Sequence, residues 1–107
     1  KVNFMIKPHS YLKKSGKRFF KEISNTYELE DHHLEILALA SQCLDRLDQA
    51  RSQIELEGVF LKDRFKKLYL NPAIRLEKEN KILFARLIRE LKLDIEPPGE
   101  LGRPPGL

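Results

Sequence analysis

A heptad pattern of apolar residues within one long helical segment limits the fold of this chain more than any other feature. The segment begins at Asp31, which can cap a helix, and it stops at Gly58, a residue type that commonly ends helices. This pattern predicts a helix running to about Glu57, roughly 40 Å long, with a seam for packing against other helices. The seam residues, spaced by four and three positions in turn, are Ile36, Ala40, Cys43, Leu47, Ala50 and Ile54.

Leucines beside this seam widen the apolar stripe beyond what a two-stranded coiled coil needs. Leu34, Leu37 and Leu44 lie outside the strict heptad positions, so the helix is expected to bury more than one face. The two alanines of the seam allow a partner helix to approach closely. We therefore predict that the seam packs against a later helix of the same chain and also forms the interface with a neighbouring copy.

A shorter helix is expected to precede the long one. Ser15 is a plausible N-cap for about ten helical residues. The apolar positions of this segment recur at steps of three and four, which places them on one helical face. They are Phe19, Phe20, Ile23 and Tyr27.

The period of the sequence changes after Gly58. Apolar and polar residues alternate between Val59 and Leu70 around Asp63-Arg64, which indicates a β-hairpin. Asn71 followed by Pro72 then restarts a helix, with Asn as the N-cap and Pro at the first helical position. The apolar side of this third helix runs to about Leu91. The predicted fold is mainly α: a short helix, a long helix, a β-hairpin and a third helix.

The two ends of the chain differ in composition from its middle. Residues 1–14 are predicted to be a basic arm, in which Pro8 disfavours helix. Residues 96–107 contain four prolines and three glycines and form a Pro/Gly-rich tail. The residues between, 15–95, are expected to be a single helical domain, since a chain of 107 residues has the length of one domain.

Charge is sorted along the chain. The first 21 residues carry seven Lys or Arg and no acid, whereas residues 22–57 carry nine acids and two bases. The remaining residues hold eleven bases and seven acids, so the net charge of +4 conceals a basic arm, an acidic middle and a basic second half. Such asymmetry carries information about partners rather than about the fold.

Two basic clusters indicate contacts with nucleic acid. One lies just before and along the first helix, and the other surrounds the predicted hairpin turn, so both could reach DNA phosphates. The alternative interpretation is that these lysines bind no partner and only increase the solubility of the protein. The acidic long helix is expected to point away from DNA and to pair with basic residues, either of its own chain or of a neighbour. The candidate DNA-binding residues are Lys13, Lys14, Lys17, Arg18, Lys21, Lys62, Arg64, Lys66 and Lys67.

Nothing in the sequence supports catalysis, a metal site or a cofactor. His9, His32 and His33 have no ligand partners at metal-binding spacing, and Cys43 lies on the apolar seam. Asp45 and Asp48 look like part of a solvated helix face. The single cysteine excludes an internal disulfide, and no apolar run is long enough to span a membrane. We therefore expect a cytoplasmic protein that is not an enzyme.

Several short motifs, taken in order, resemble the small subunit of phage terminase from tailed siphophages and prophages. The resemblance covers about 100 residues, and the most specific motif is the one that closes the chain. The motifs are Pro8-His9-Ser10-Tyr11-Leu12, Ser15-Gly16-Lys17, Phe20-Lys21-Glu22-Ile23, Tyr27-Glu28-Leu29 with Asp31 and Leu34, Ile54-Glu55-Leu56-Glu57-Gly58, Asn71-Pro72, Leu87-Ile88-Arg89-Glu90-Leu91-Lys92-Leu93-Asp94 and Gly102-Arg103-Pro104-Pro105-Gly106.

The resemblance implies a non-enzymatic component of DNA packaging in the cytoplasm of the bacterial host. Such subunits assemble as rings, recognise the packaging site of double-stranded viral DNA and regulate the large terminase subunit, which carries the ATPase and nuclease. The tail, with Arg103, Pro104 and Pro105, is expected to bind that large subunit, because an extended segment loses little entropy when it is ordered.

The chain departs from the family pattern at two places. The family often has a glycine in the hairpin turn and a histidine before the proline of helix three, whereas Phe65-Lys66 and Asn71 occupy these places here. The turn is therefore expected to be longer or less regular. A different class of function also stays open, namely a helical oligomeric interaction adaptor without a role in nucleic-acid binding.

Overall fold

The computed structural model describes residues 7–93. The first six residues of the predicted arm and the whole predicted tail, including Arg103, Pro104 and Pro105, lie outside the described residues. The described part contains α1 (Lys14–Thr26), α2 (Asp31–Glu57), β1 (Phe60–Lys62), β2 (Leu68–Leu70) and α3 (Pro72–Leu91), in this order. The predicted mainly α fold, with a hairpin between the second and third helices, is confirmed.

Helix α2 has the predicted length but a different N-cap. Glu30, not Asp31, is the capping residue, and its backbone N–H donates to Nδ1 of His33 over 3.3 Å. Gly58 ends the helix with a φ of 97°, a backbone conformation that residues with a Cβ rarely adopt. Its N–H donates to the carbonyl of Ile54, so the last turn of the helix is closed.

Helices α2 and α3 run antiparallel, side by side. Arg51 in α2 forms a salt bridge with Glu77 in α3 at 3.3 Å. Towards the other end of the pair, Leu37 of α2 and Leu91 of α3 belong to the same buried cluster. The β-hairpin connects the two helices and therefore lies beyond the end of α2. Helix α1 packs on this pair, and the ring of its Phe19 meets Phe84 of α3 edge-on at 5.5 Å between centroids.

The hydrophobic core occupies one end of the molecule. It forms where α1 meets the first half of α2 and the last turn of α3, and burial of each of its large side chains contributes about 1.5–3 kcal/mol. Because Leu12 is buried there, the end of the predicted arm is part of the folded domain. The core residues are Leu12, Phe20, Leu29, Leu37, Ala38 and Leu91.

The heptad seam of α2 is largely interior. Ala40, Cys43, Leu47 and Ala50 are buried within the single chain, whereas Ile36 and Ile54 at the two ends are half-buried. The prediction that the whole seam forms an oligomer interface therefore needs correction, since residues buried within one chain are not available to a second copy. Burial also raises the pKa of the Cys43 thiol, as expected for a cysteine that packs as a small apolar residue.

The hairpin is shorter than the alternation predicted, and its turn is longer. Strands β1 and β2 pair antiparallel, with Phe60 opposite Leu70 and Leu61 opposite Tyr69. Five residues, 63–67, connect the strands, which agrees with the longer turn expected from the missing glycine. The Asp63 carboxylate orders this turn by accepting the N–H of Phe65 at 2.7 Å and that of Lys67 at 2.9 Å.

Asn71 joins the end of α2, the base of the hairpin and the start of α3. Its side-chain oxygen accepts the N–H of Ala73 at 3.0 Å, so the predicted N-cap is confirmed. Its side-chain nitrogen donates to the carbonyl of Gly58 at 2.9 Å, and its backbone N–H donates to the carbonyl of Val59. A buried asparagine with these partners fixes the connection between the two long helices.

Candidate nucleic-acid interface

The basic residues of α1 lie together on the side of the helix that faces solvent. Lys14, Lys17, Arg18 and Lys21 are all exposed, and so is Lys13 just before the helix. The opposite side, which carries Gly16, Phe20 and Ser24, is buried. A helix in contact with the core on one side and bearing four cations on the other can present them to a polyanion without disturbing its packing. We call these residues the α1 patch: Lys13, Lys14, Lys17, Arg18 and Lys21.

The N-terminus of α1 is capped by a residue of another helix. The prediction that Ser15 caps this helix is wrong, because α1 begins at Lys14 and the residue before it makes no side-chain cap. The buried Asp45 of α2 takes the capping role: its carboxylate accepts the N–H of Lys13 at 2.6 Å and the N–H of Gly16 at 2.8 Å. A carboxylate at a helix N-terminus satisfies free N–H groups and interacts favourably with the helix dipole.

Gly16 permits this close approach of α1 to α2. A Cβ at this position would lie 2.8 Å from the carbonyl oxygen of Ser41 and would collide with the Asp45 carboxylate. The carbonyl belongs to the backbone of α2, so it cannot move aside without disturbing that helix. Any larger residue at position 16 would therefore push α1 away from its cap.

Asp45 thus differs from the solvated face that the sequence indicated, whereas Asp48 is exposed as expected. Asp45 is buried, and Asp48 accepts a hydrogen bond from the hydroxyl of Ser15. The partners of both carboxylates lie about 30 positions earlier in the chain, where no local sequence pattern points to them. Two carboxylates of the acidic middle are therefore used within the chain, to hold the start of the basic helix in place.

The second predicted cluster surrounds the hairpin turn. Lys62, Arg64, Lys66 and Lys67 are all exposed. Phe65 stands among them with 75% of its surface exposed, and the Arg64 guanidinium lies over its ring, 5.1 Å from the centroid. Four cations around an ordered turn can contact a nucleic-acid backbone, and an exposed aromatic ring among them offers a stacking surface.

Lys66 provides a first prediction, because its φ of 63° is a conformation that favours glycine. We expect Lys66→Gly to raise the free energy of unfolding by up to about 1 kcal/mol through relief of this strain. The same substitution removes one cation from the turn, so affinity for duplex DNA should fall. Chemical denaturation and a DNA titration measure the two effects. A decrease in the free energy of unfolding would contradict backbone strain at Lys66. An unchanged affinity for DNA would contradict a role of Lys66 in DNA binding.

An open groove of ≈ 860 Å³ lies between the start of α1, the second half of α2, the hairpin and the start of α3. Leu61 and Tyr69, which pair across the hairpin, line one side, and Gln49 and Gln53 of α2 line another. Within residues 7–93, no three metal-ligating side chains come together.

Large apolar side chains at the hairpin end of the molecule were not predicted from the sequence as a surface. The two strands alternate their faces, so Phe60, Leu68 and Leu70 lie on the side opposite Leu61 and Tyr69. These three residues, called the hairpin apolar face below, are between 49% and 60% exposed. Large apolar side chains are exposed elsewhere as well, in α2, before β1 and in α3: Leu56, Val59, Leu76 and Leu83.

Three features of the described residues therefore stand out: the α1 patch, the basic hairpin turn and the hairpin apolar face.

None of the helices in this part of the chain combines the length and apolar character needed to cross a membrane. No protein-family model, no curated protein and no solved structure matches this chain.

Proposed function

We propose that the protein is a DNA-packaging component of the terminase small-subunit type, which binds double-stranded viral DNA as a ring oligomer and regulates a large terminase subunit. The observation that carries this proposal is the α1 patch. Its cations are exposed on one side of a helix whose position is fixed by Asp45 and by burial of Phe20. The motifs that resemble the terminase family supply the packaging role and the large subunit as partner.

We expect the protein to bind the phosphate backbone of DNA rather than to read its bases. Lysines dominate the α1 patch and the hairpin turn, and lysine acts as a point charge towards phosphate rather than as a reader of bases. Each neutralised phosphate releases counterions, so binding should weaken steeply as salt rises. The nine candidate residues therefore supply affinity for duplex DNA.

The exposed apolar residues support self-association. Monomeric proteins rarely leave several large apolar side chains of one short hairpin exposed to water, and a two-stranded hairpin is marginally stable by itself. A second copy of the chain is the partner that we propose for the hairpin apolar face. This surface replaces the interior part of the α2 seam as the proposed interface.

The experiment is a DNA titration with a variant in which Lys14, Lys17, Arg18 and Lys21 are all replaced by alanine. These side chains are exposed, and alanine favours helix, so the variant should fold. The slope of log affinity against log salt should decrease by about 0.9 for each phosphate that the variant no longer neutralises, or by about 3.6 if all four residues bind phosphate.

Single charge reversals provide the control. Lys17→Glu and Arg46→Glu change the net charge equally, but Arg46 lies exposed on α2 outside both basic clusters. We expect the first to weaken binding far more than the second. Equal effects would mean that only net charge matters. Absence of salt-dependent binding by the unaltered chain would favour the interaction adaptor instead.

A further inference from the structure

We propose that the solvent side of α3 is a second surface for the phosphate backbone of duplex DNA, separate from the α1 patch and the hairpin turn. The proposal rests on DNA binding as the proposed function and adds a site to it. The residues, called the α3 basic face below, are Arg75, Lys78, Lys81, Arg86, Arg89 and Lys92.

The helical spacing gathers these six cations on one side of α3. At 100° per residue the five that lie within the helix fall in an arc of about 140°, whereas Glu77, Glu79 and Glu90 fall outside it, and Lys92 follows as the C-cap residue. From Arg75 to Arg89 the face extends about 21 Å along the helix, a length over which a DNA duplex carries about 12 phosphates. A row of regularly spaced cations therefore lies along the outside of the molecule, parallel to the α2–α3 pair.

The cations of this face are exposed and, among the described residues, have no acidic partner. All six residues are exposed, and the salt bridge found within residues 7–93 joins Arg51 to Glu77, away from them. Glu79 and Glu90 follow Arg75 and Arg86 by four positions, at one edge of the face, yet they form no ion pair with them in this part of the chain. Within residues 7–93 the cations of this face are therefore not paired with acidic side chains.

Local stabilisation of the helix does not explain this arrangement. Arg89 and Lys92 lie at the C-terminus of α3, where cations interact favourably with the helix dipole. Arg75, in contrast, lies in the first turns, where a cation is disfavoured. Contact with a polyanionic partner accounts for the position of Arg75. The half-exposed Ile82 within the face is a single apolar residue of a kind common on protein surfaces.

The shape of the surface favours duplex DNA over an acidic protein. The face follows one continuous helix, and the groove involves α3 only through its first residues, on the side of Leu76 and Asn80. An acidic peptide would need a pocket to anchor a side chain, whereas a DNA backbone needs only a row of charges. Leu76 and Leu83 are exposed on this groove side of α3, outside the α3 basic face.

The test compares two variants of the full chain. In the first, Arg75, Lys78, Arg86 and Arg89 are replaced by alanine, which favours helix and leaves the core intact. In the second, Arg75, Arg86 and Arg89 are replaced by lysine, which keeps every charge. Binding of duplex DNA is measured at several salt concentrations, and circular dichroism verifies the fold. The alanine variant should bind duplex DNA at least about tenfold more weakly, and its slope of log affinity against log salt should decrease by up to about 3.6. The lysine variant should keep the slope of the unaltered chain.

The α1 variants described above separate the possible outcomes. If the α3 alanine variant keeps its affinity and salt slope while the α1 variant does not, the inference is overturned and DNA binding stands. If the unaltered chain shows no salt-dependent binding, both proposals fail. If poly-glutamate competes for the α3 basic face as effectively as duplex DNA, the surface belongs to an acidic protein partner, and the inference is again overturned.

Discussion

Replacement of Asp45 by alanine should destabilise the protein by about 2–4 kcal/mol, because the carboxylate makes two buried or half-buried hydrogen bonds to the start of α1. The N–H groups of Lys13 and Gly16 would be left without this acceptor, and the negative charge at the N-terminus of α1 would be removed. For a domain of this size each kcal/mol lowers the melting temperature by about 4–8 °C. Thermal unfolding at a fixed protein concentration measures the effect.

Asp48→Ala is the matched control for this prediction. Asp48 lies three positions further along α2 and is exposed, with a hydrogen bond to the Ser15 side chain. Its removal should cost less than about 1 kcal/mol, as is usual for an exposed polar contact. Equal losses of stability for the two substitutions would contradict the capping role of Asp45.

Gly16→Ala tests the contact between the start of α1 and Asp45 by a substitution in α1. Alanine is normally about 1 kcal/mol better than glycine inside a helix, yet here its Cβ would press on the Ser41 carbonyl and the Asp45 carboxylate. We expect a net decrease in stability, measured by thermal unfolding as for Asp45. Because both substitutions break the same contact, their combination should cost less than the sum of the two.

Replacement of Phe60 and Leu70 by threonine should weaken self-association without unfolding the chain. The two side chains face each other across the hairpin and are 60% and 49% exposed, so threonine removes apolar surface but keeps a residue that favours strands. If a second copy covers this surface, association should weaken by about 2–4 kcal/mol, or about a 30- to 700-fold rise in the dissociation constant. Light scattering over a dilution series measures this shift.

Phe65→Thr is the control for the interface. Phe65 is even more exposed, but it stands at the tip of the turn among cations rather than on the hairpin apolar face. Its replacement should leave the assembly unchanged. An unaltered chain that stays monomeric at every concentration would contradict the proposed interface, and so would an assembly that survives the Phe60 and Leu70 substitutions.

Local patterns in the sequence were sufficient to predict the order of elements. The long helix up to Glu57 and the Asn71-Pro72 start of α3 depend on neighbouring residues, so periodicity and capping rules could identify them. The exposure of the four cations of α1 also followed from helical spacing, since the apolar residues of the same helix had to face the core.

Contacts between distant parts of the chain could not be predicted in this way. Asp45 caps a helix that begins 31 positions earlier, and a pair of nearby arginines made it look like an ordinary surface residue. The heptad seam was correctly identified as apolar, but only the structure shows how much of it is buried within a single chain. The α3 basic face is harder to recognise in the sequence, because leucines dominate the helical pattern of that segment.

The most direct test of the proposed function is the native mass of the full chain, measured with and without duplex DNA at low salt. We predict a defined multiple of the single-chain mass, and a further increase when duplex DNA is added that disappears as salt is raised. A single-chain mass that DNA does not change at any salt concentration would contradict both the assembly and the DNA binding proposed for this protein.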